Sequence, residues 1–212
     1  MIRHVNHDEA FLNLVHAVAA GDSSAFRQML SVQPELVGSK AAVGATRQTT
    51  VEFWIKEIGH YLYKGDTALH IAAAAYRATM AAQLLEKGAD VRARNRRGAE
   101  PLHYAADGQP ASQSWNPIAQ AETIRRLIKF GADPNCVDQS GVAPLHRAIR
   151  TRCAAAVLAL LESGADPKQP NRNGSTPKIL ATLNTGRGGS GTPENKTQQH
   201  EILEILDRWE AI

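Results

Sequence analysis

Three histidines recur in one local setting: Thr-Ala-Leu-His70-Ile-Ala, Glu-Pro-Leu-His103-Tyr-Ala and Ala-Pro-Leu-His146-Arg-Ala. Imidazole is the commonest metal ligand, so a repeated one invites a zinc site. Geometry opposes it. Packed helices lie about 8–10 Å apart, whereas every ligand of one zinc ion sits about 2 Å from it. One histidine per successive helical unit cannot converge on a single ion, and no metal and no cofactor is expected.

Other residues carry chemistry in their types. Gly186-Arg-Gly-Gly-Ser-Gly191 matches a dinucleotide-binding pattern by letters. No strand precedes it, no βαβ unit surrounds it, and the Lys-Ser/Thr of a P-loop is missing. It reads either as a plain loop or as backbone N–H groups that, with Arg187, meet an anion or an acidic partner. Arg92, Arg94, Arg96 and Arg97 form a basic run before Gly98, pointing outward toward an acidic surface or solvent. Cys153, beside Arg150 and Arg152, would have a depressed pKa if those charges faced it. His60, with Glu57 or Asp107, could supply acid–base chemistry, although no recognised catalytic motif accompanies it.

The elements that must position these residues are repeated. Gly65-Asp-Thr-Ala-Leu-His-Ile-Ala-Ala73 aligns with Gly98-Ala-Glu-Pro-Leu-His-Tyr-Ala-Ala106 and with Gly141-Val-Ala-Pro-Leu-His-Arg-Ala-Ile149. A degenerate copy runs from Gly174 to Ala181, and the starting glycines are 33, 43 and 33 residues apart. The first three units end alike, in Gly88-Ala-Asp90, Gly131-Ala-Asp133 and Gly164-Ala-Asp166. Thr67 and Thr176 suit a helix N-cap. Pro101, Pro144 and Pro177 suit the first helical turn. Alanines such as Ala72, Ala105 and Ala148 admit close helix approach, and the glycines after the second helix suit a left-handed stop. Each unit is therefore a helix–turn–helix closed by a short turn.

These motifs resemble the ankyrin repeat, strongly over about residues 65–185. The resemblance implies an all-α solenoid of about five helix–turn–helix units with β-turn fingers, one of them elongated. Residues 10–37 would form an N-terminal capping unit, 38–64 an inserted finger, and 65–97, 98–140 and 141–173 the repeats. Residues 174–212 would form a degenerate C-terminal repeat, all within a single domain spanning 1–212. It also implies that the repeated histidines are structural, that the first helices floor a concave face, and that Tyr76-Arg77 and Arg152 replace the glycine usual between the helices.

Three insertions break the period and hold the specific information. Residues 38–50 are small and polar and read as a mobile loop, whereas 51–63 carry Phe53, Trp54, Tyr61 and Tyr63, four of the chain's eleven aromatics. Residues 107–117 and 184–193 extend two inter-helix loops. The expected binding residues are Trp54, His60, Tyr61, Tyr76, Arg77, Tyr104, Asp107, Trp115, Arg147, Arg150, Arg152 and Arg187. Family-variable positions add Tyr63, Lys64, Asp66, Arg96, Arg97, Gln139, Thr151, Arg172 and Asn173 to a partner surface.

Two functions follow as expectations: a module binding a partner protein through its concave face and inserted loops, or a binder of a small anionic ligand, even an atypical enzyme, with a pocket where the insertions converge. Hydrophobic residues make up 43% of the chain, which is globular, and the net charge of +3 argues against a nucleic-acid partner. Two cysteines suggest a reducing, cytoplasmic setting. Asp8 and Glu9 precede an apolar stretch interrupted by Asn13 and His16, unlike a signal peptide, and no apolar run is long enough to span a membrane.

Overall fold

The computed structural model describes residues 2–46, 48–108, 110, 115–183 and 192–210. Arg187 and its glycine-rich neighbours lie outside them. Among the described residues ten α-helices follow in pairs: α1 (Ile2–Ala20) with α2 (Ser23–Val32), α3 (Ala68–Ala74) with α4 (Ala78–Glu86), α5 (Pro101–Ala106) with α6 (Pro117–Lys129), α7 (Pro144–Arg150) with α8 (Ala154–Glu162), and α9 (Pro177–Thr182) with α10 (Pro193–Glu210). The first helices stack in the order α1, α3, α5, α7, α9, and α4, α6, α8, α10 stack behind them. This is an all-α repeat solenoid. No described helix is long and apolar enough to cross a membrane.

Local chemistry starts and stops these short helices. The Asp22 carboxylate accepts the Ser24 and Ala25 amides, both at 3.0 Å, and caps α2. Thr67 and Thr176 accept the amides of His70 and Ile179. Pro101, Pro144 and Pro177 open α5, α7 and α9. Helices of six or seven residues are not stable alone, so packing holds them: Ala72, Ala105 and Ala148 are fully buried between neighbours.

His70 and His103 each tie their unit to the next, and His146 ties the start of its helix to the end of its own unit. His70 accepts the Thr67 amide at Nδ1 (3.1 Å) and donates from Nε2 to the Ala99 carbonyl (3.1 Å). His103 does the same between Glu100 and Val142 (3.1 and 2.9 Å), and His146 between Ala143 and Gln169 (2.9 and 2.9 Å). Both ring nitrogens are occupied, one as acceptor and one as donor, which requires the neutral ring. Burial lowers all three pKa values, that of His103 to about 4.

The short turns inside the first, second and fourth pairs each hold a left-handed residue. In the first pair Gly21 supplies it at φ 77°, but Tyr76 (φ 53°) and Arg152 (φ 61°) occupy the equivalent places. A side chain there costs roughly 1–2 kcal/mol. Each has a compensating contact. The Tyr76 hydroxyl donates to the Asp107 carbonyl. The buried Arg152 guanidinium donates to the carbonyls of Ala181, at 3.1 Å, and Leu183, at the end of α9.

The insertion of 38–64 packs onto the body, as residues 51–63 suggested, but 38–50 is not the loose loop expected. Ala41 and Asp66 join through Ala41 N–H to Asp66 O (2.8 Å), Gly65 N–H returns to Ala41 O (2.8 Å), and Ala45 N–H reaches Leu62 O (2.8 Å). Ala41 and Ala45 are buried. Beyond them β1 (Trp54–Ile55) and β2 (His60–Tyr61) form an antiparallel hairpin, with Trp54 opposite Tyr61 and Ile55 opposite His60. Ile55 and Leu62 fasten it to the core. Small residues account for this: a side chain at Gly44 would run into the Tyr63–Lys64 backbone, so the segment can lie against it only without one.

Candidate functional site

The residue after each motif histidine is Ile71, Tyr104 or Arg147, and these successive side chains project on one side of the first helices. Two of them meet the finger that precedes their own helix. Asn95 donates from Nδ2 to the Tyr104 hydroxyl (2.9 Å), and nine residues likewise separate Asp138 from Arg147, whose Nη2 donates to its Oδ2 (3.1 Å). The other side-chain oxygens of Asn95 and Asp138 accept finger amides, from Arg97 and Ala99 in one case and Ser140 and Val142 in the other. Each finger is thus closed by one Asn or Asp that also grips a floor residue.

At the Tyr104 end lies a buried carboxylate. Asp66 accepts from the Tyr104 hydroxyl (2.8 and 2.9 Å to its two oxygens), from Asn95 Nδ2 (2.9 Å) and from the Tyr63 amide (2.6 Å). Four donor contacts offset its desolvation without a formal cation. Burial, together with the Asp66 charge, raises the Tyr104 pKa well above the usual phenol value. His60 lies over Tyr104 with ring centroids 4.6 Å apart and donates from Nδ1 to the Tyr61 carbonyl at 2.8 Å. Burial lowers the His60 pKa, against the opposing pull of Asp107, the Tyr61 carbonyl and Asp66.

At the other end, Arg147 sits between two carboxylates, with Nη1 on Asp107 and Nη2 on Asp138, both at 3.1 Å. Burial pulls the Arg147 pKa down, but the two carboxylates outweigh it and the net shift is upward. Burial likewise acts to raise Asp138, yet the Val142 and Ser140 amides and Arg147 hold it below the usual carboxylate value. The guanidinium is fixed and already neutralised.

Between these groups opens a cleft of about 290 Å³, walled by Arg97, Gln139 and Ser140 of the fingers and by Arg147, Arg150 and Thr151 of α7. A notch of about 30 Å³ leads from it toward His60 and Tyr104. Arg97 and Arg150 are exposed. Arg97 lies over the Tyr63 ring, 5.1 Å from its centroid.

The structure brings His60, Tyr104, Asp107, Arg147 and Arg150 together around this cleft and notch. Trp54 and Tyr61 pair on the hairpin, centroids 4.7 Å apart. The remaining expected site residues are used internally. Arg77 donates to the Ala19 carbonyl (3.2 Å), and its guanidinium lies against Gly21, binding the second pair to the first. Tyr76 and Arg152 are committed as described. Trp115 donates to Gln120 Oε1 (2.8 Å), and Gln120 donates on to the Ala105 and Asp107 carbonyls (3.0 and 3.2 Å). Arg187 lies outside the described residues.

Several other expectations are corrected. Asp66 is a buried structural group and cannot face a partner, while Thr151 is largely buried, its hydroxyl donating to the Arg147 carbonyl (2.9 Å) at the cleft wall. Cys153 is not activated: burial pushes its thiol up to about 12. Cys136 is buried as well, and both cysteines are free. In the basic run, Arg92 donates to the Gly131 carbonyl (3.1 Å), Arg94 pairs with Glu100 (3.0 Å) and Arg96 reaches the Ala45 carbonyl. Only Arg97 of the four turns to the cleft. Glu57 is exposed on the hairpin, and the Asp107 carboxylate pairs with Arg147. Asp138 was missed. Its signal was the nine-residue spacing to Arg147, matched by Asn95 and Tyr104.

Three ankyrin-repeat family models match the chain: Ankyrin repeats (3 copies) over residues 14–113, Ankyrin repeat over 97–139 and Ankyrin repeats (many copies) over 127–181. Together they run without a gap from residue 14 to 181. No curated protein matches it.

Proposed function

Since this chain belongs to the ankyrin-repeat family, whose repeats are generally protein–protein interaction modules, we propose that it is a recognition module that takes a segment of a partner protein into its concave cleft. The observation carrying this reading is the composition of the cleft walls. Exposed guanidiniums at Arg97 and Arg150 stand beside carboxylates at Asp107 and Asp138 and amide or hydroxyl groups at Gln139 and Ser140. Interleaved donors and acceptors suit a polypeptide, which offers both from its backbone. Arginine at the rim and a tyrosine beside it are the residue types that anchor such contacts.

A closed small-molecule site has weaker support. The notch under His60, at about 30 Å³, has room for little more than a water molecule. Ligand pockets usually occupy about 300–1,000 Å³ and enclose most of the ligand. The test is capture of the native partner by the purified chain, compared with Arg97→Glu and Arg150→Glu. Both positions are exposed, so the thermal midpoint should hold while capture is lost. Undiminished capture by both variants would rule out this face.

A further inference from the structure

The geometry points to an extended acidic segment with an apolar anchor as the occupant of the cleft, an inference that rests on the reading of the chain as a protein-recognition module. Charge comes first. Of the three arginines in the cleft walls, Arg147 is already spent on Asp107 and Asp138. Neither Arg97 nor Arg150 has an ion pair among the described residues, and both are exposed. They stand on different elements, one on a finger and one at the last turn of α7. The unmet electrostatic demand is therefore for two carboxylates held apart, as side chains along an extended chain supply.

The direction of that chain follows from the aromatic residues. From the cleft, Arg97 leads to Tyr63 (5.1 Å), Tyr63 to Tyr61 (6.4 Å between centroids), and Tyr61 to Trp54 (4.7 Å). Trp54 keeps 43% of its surface exposed on a hairpin otherwise fastened to the core. A partly exposed Trp on a fixed element is a contact surface with little ordering cost. An acidic segment clamped by Arg150 and Arg97 continues along this row and lays an apolar side chain on Trp54.

The same row of arginine and aromatics resembles a track for single-stranded nucleic acid. Two observations disfavour that. The Trp54 and Tyr61 rings are tilted 60° to each other, so they do not offer the parallel faces on which successive bases stack. The cleft wall also includes Asp107, which meets Arg147 through one carboxylate oxygen and suits peptide N–H donors, whereas a phosphodiester brings more acceptors.

The test is selection from a phage-displayed random dodecapeptide library on the full chain, followed by fluorescence anisotropy of the selected peptides and of a labelled oligothymidylate of similar length. Selected peptides are expected to carry separated Asp or Glu residues and an aromatic or large aliphatic one. Arg97→Gln and Arg150→Gln should each weaken them about tenfold, and Trp54→Ala should weaken those with the apolar residue. Peptides that bind but are neutral or basic, or that ignore both arginine substitutions, would overturn the acidic-segment inference and leave the module reading standing. Failure to select any peptide would count against both. Tighter binding of oligothymidylate than of any peptide would identify a nucleic-acid surface and overturn the proposal.

Discussion

The Tyr104 hydroxyl lies 2.8 and 2.9 Å from the two oxygens of Asp66, a carboxylate with no exposed surface. Thirty-eight residues separate them. The contact joins the start of one unit to the floor helix of the next, beneath the inserted hairpin. Tyr104→Phe removes the donor and keeps the ring against His60 and His70. It should cost about 1–3 kcal/mol, the cost of leaving a buried acceptor short of partners, measured by urea unfolding. Asp66→Asn with Tyr104→Phe should cost less than the two singles added, because both remove one contact. Strict additivity would show that the pair is not coupled.

Acid should unfold the chain through its repeated histidines. Burial lowers the pKa of His70, His103 and His146 from the usual 6.5, and that of His103 to about 4. Between those values the unfolded state binds more protons, so stability rises with pH and is lost as pH falls. His103 alone contributes roughly 3 kcal/mol across that window. Asp138, held below 3.8, adds its loss only at lower pH. His103→Gln should flatten the stability curve between about pH 6.5 and 4. A wild-type curve already flat there would contradict this account of the staples.

Arg147→Ala leaves Asp107 and Asp138 facing each other without their shared cation. The guanidinium and both carboxylates are largely buried, with 17%, 20% and 10% exposure. The expected loss is about 2–4 kcal/mol, somewhat under that for a fully buried pair. Arg147→Met/Asp107→Asn/Asp138→Asn should recover part of it. Equal stability of Arg147→Ala and wild type in chemical denaturation would remove the triad from the stability argument.

Arg152 separates backbone strain from side-chain contact. Arg152→Gly relieves the φ of 61° but loses the bonds to Ala181 and Leu183, whereas Arg152→Ala keeps the strain and loses the bonds as well. The expected order of stability is wild type, then Gly, then Ala, with a gap of roughly 1 kcal/mol between the two variants. Hydrogen exchange should show the loss concentrated in α9 and α10. Gly above wild type would mean that the guanidinium contributes less than the strain costs.

The repeats were legible because their signals are local and redundant. Thr or Pro at the helix start, the histidine and the closing Gly-Ala-Asp recur together in three units, and the starts of α3, α5 and α7 and the ends of α4, α6 and α8 follow from them. The cleft was only partly legible. Asp107, Arg147 and Arg150 fall on one edge by repeat arithmetic alone. What arithmetic cannot supply is which polar group is consumed internally. Arg77 and Arg152 occupy equivalent turns yet reach opposite ways, one back to Ala19 and the other on to Ala181 and Leu183. The docking of 38–50 was hidden because its cohesion is backbone pairing, to which side-chain composition is nearly blind.

Two histidine staples run from one unit to the next, His70 to Ala99 and His103 to Val142, whereas His146 closes on Gln169 of its own unit. The unit 98–140 thus carries both a donor for its successor and a carbonyl for its predecessor. A unit duplicated within such an array brings a complete set of joints with it. The chain can therefore lengthen at its middle with no rewiring of the flanks, while its two ends, which lack one joint each, must be finished by other means.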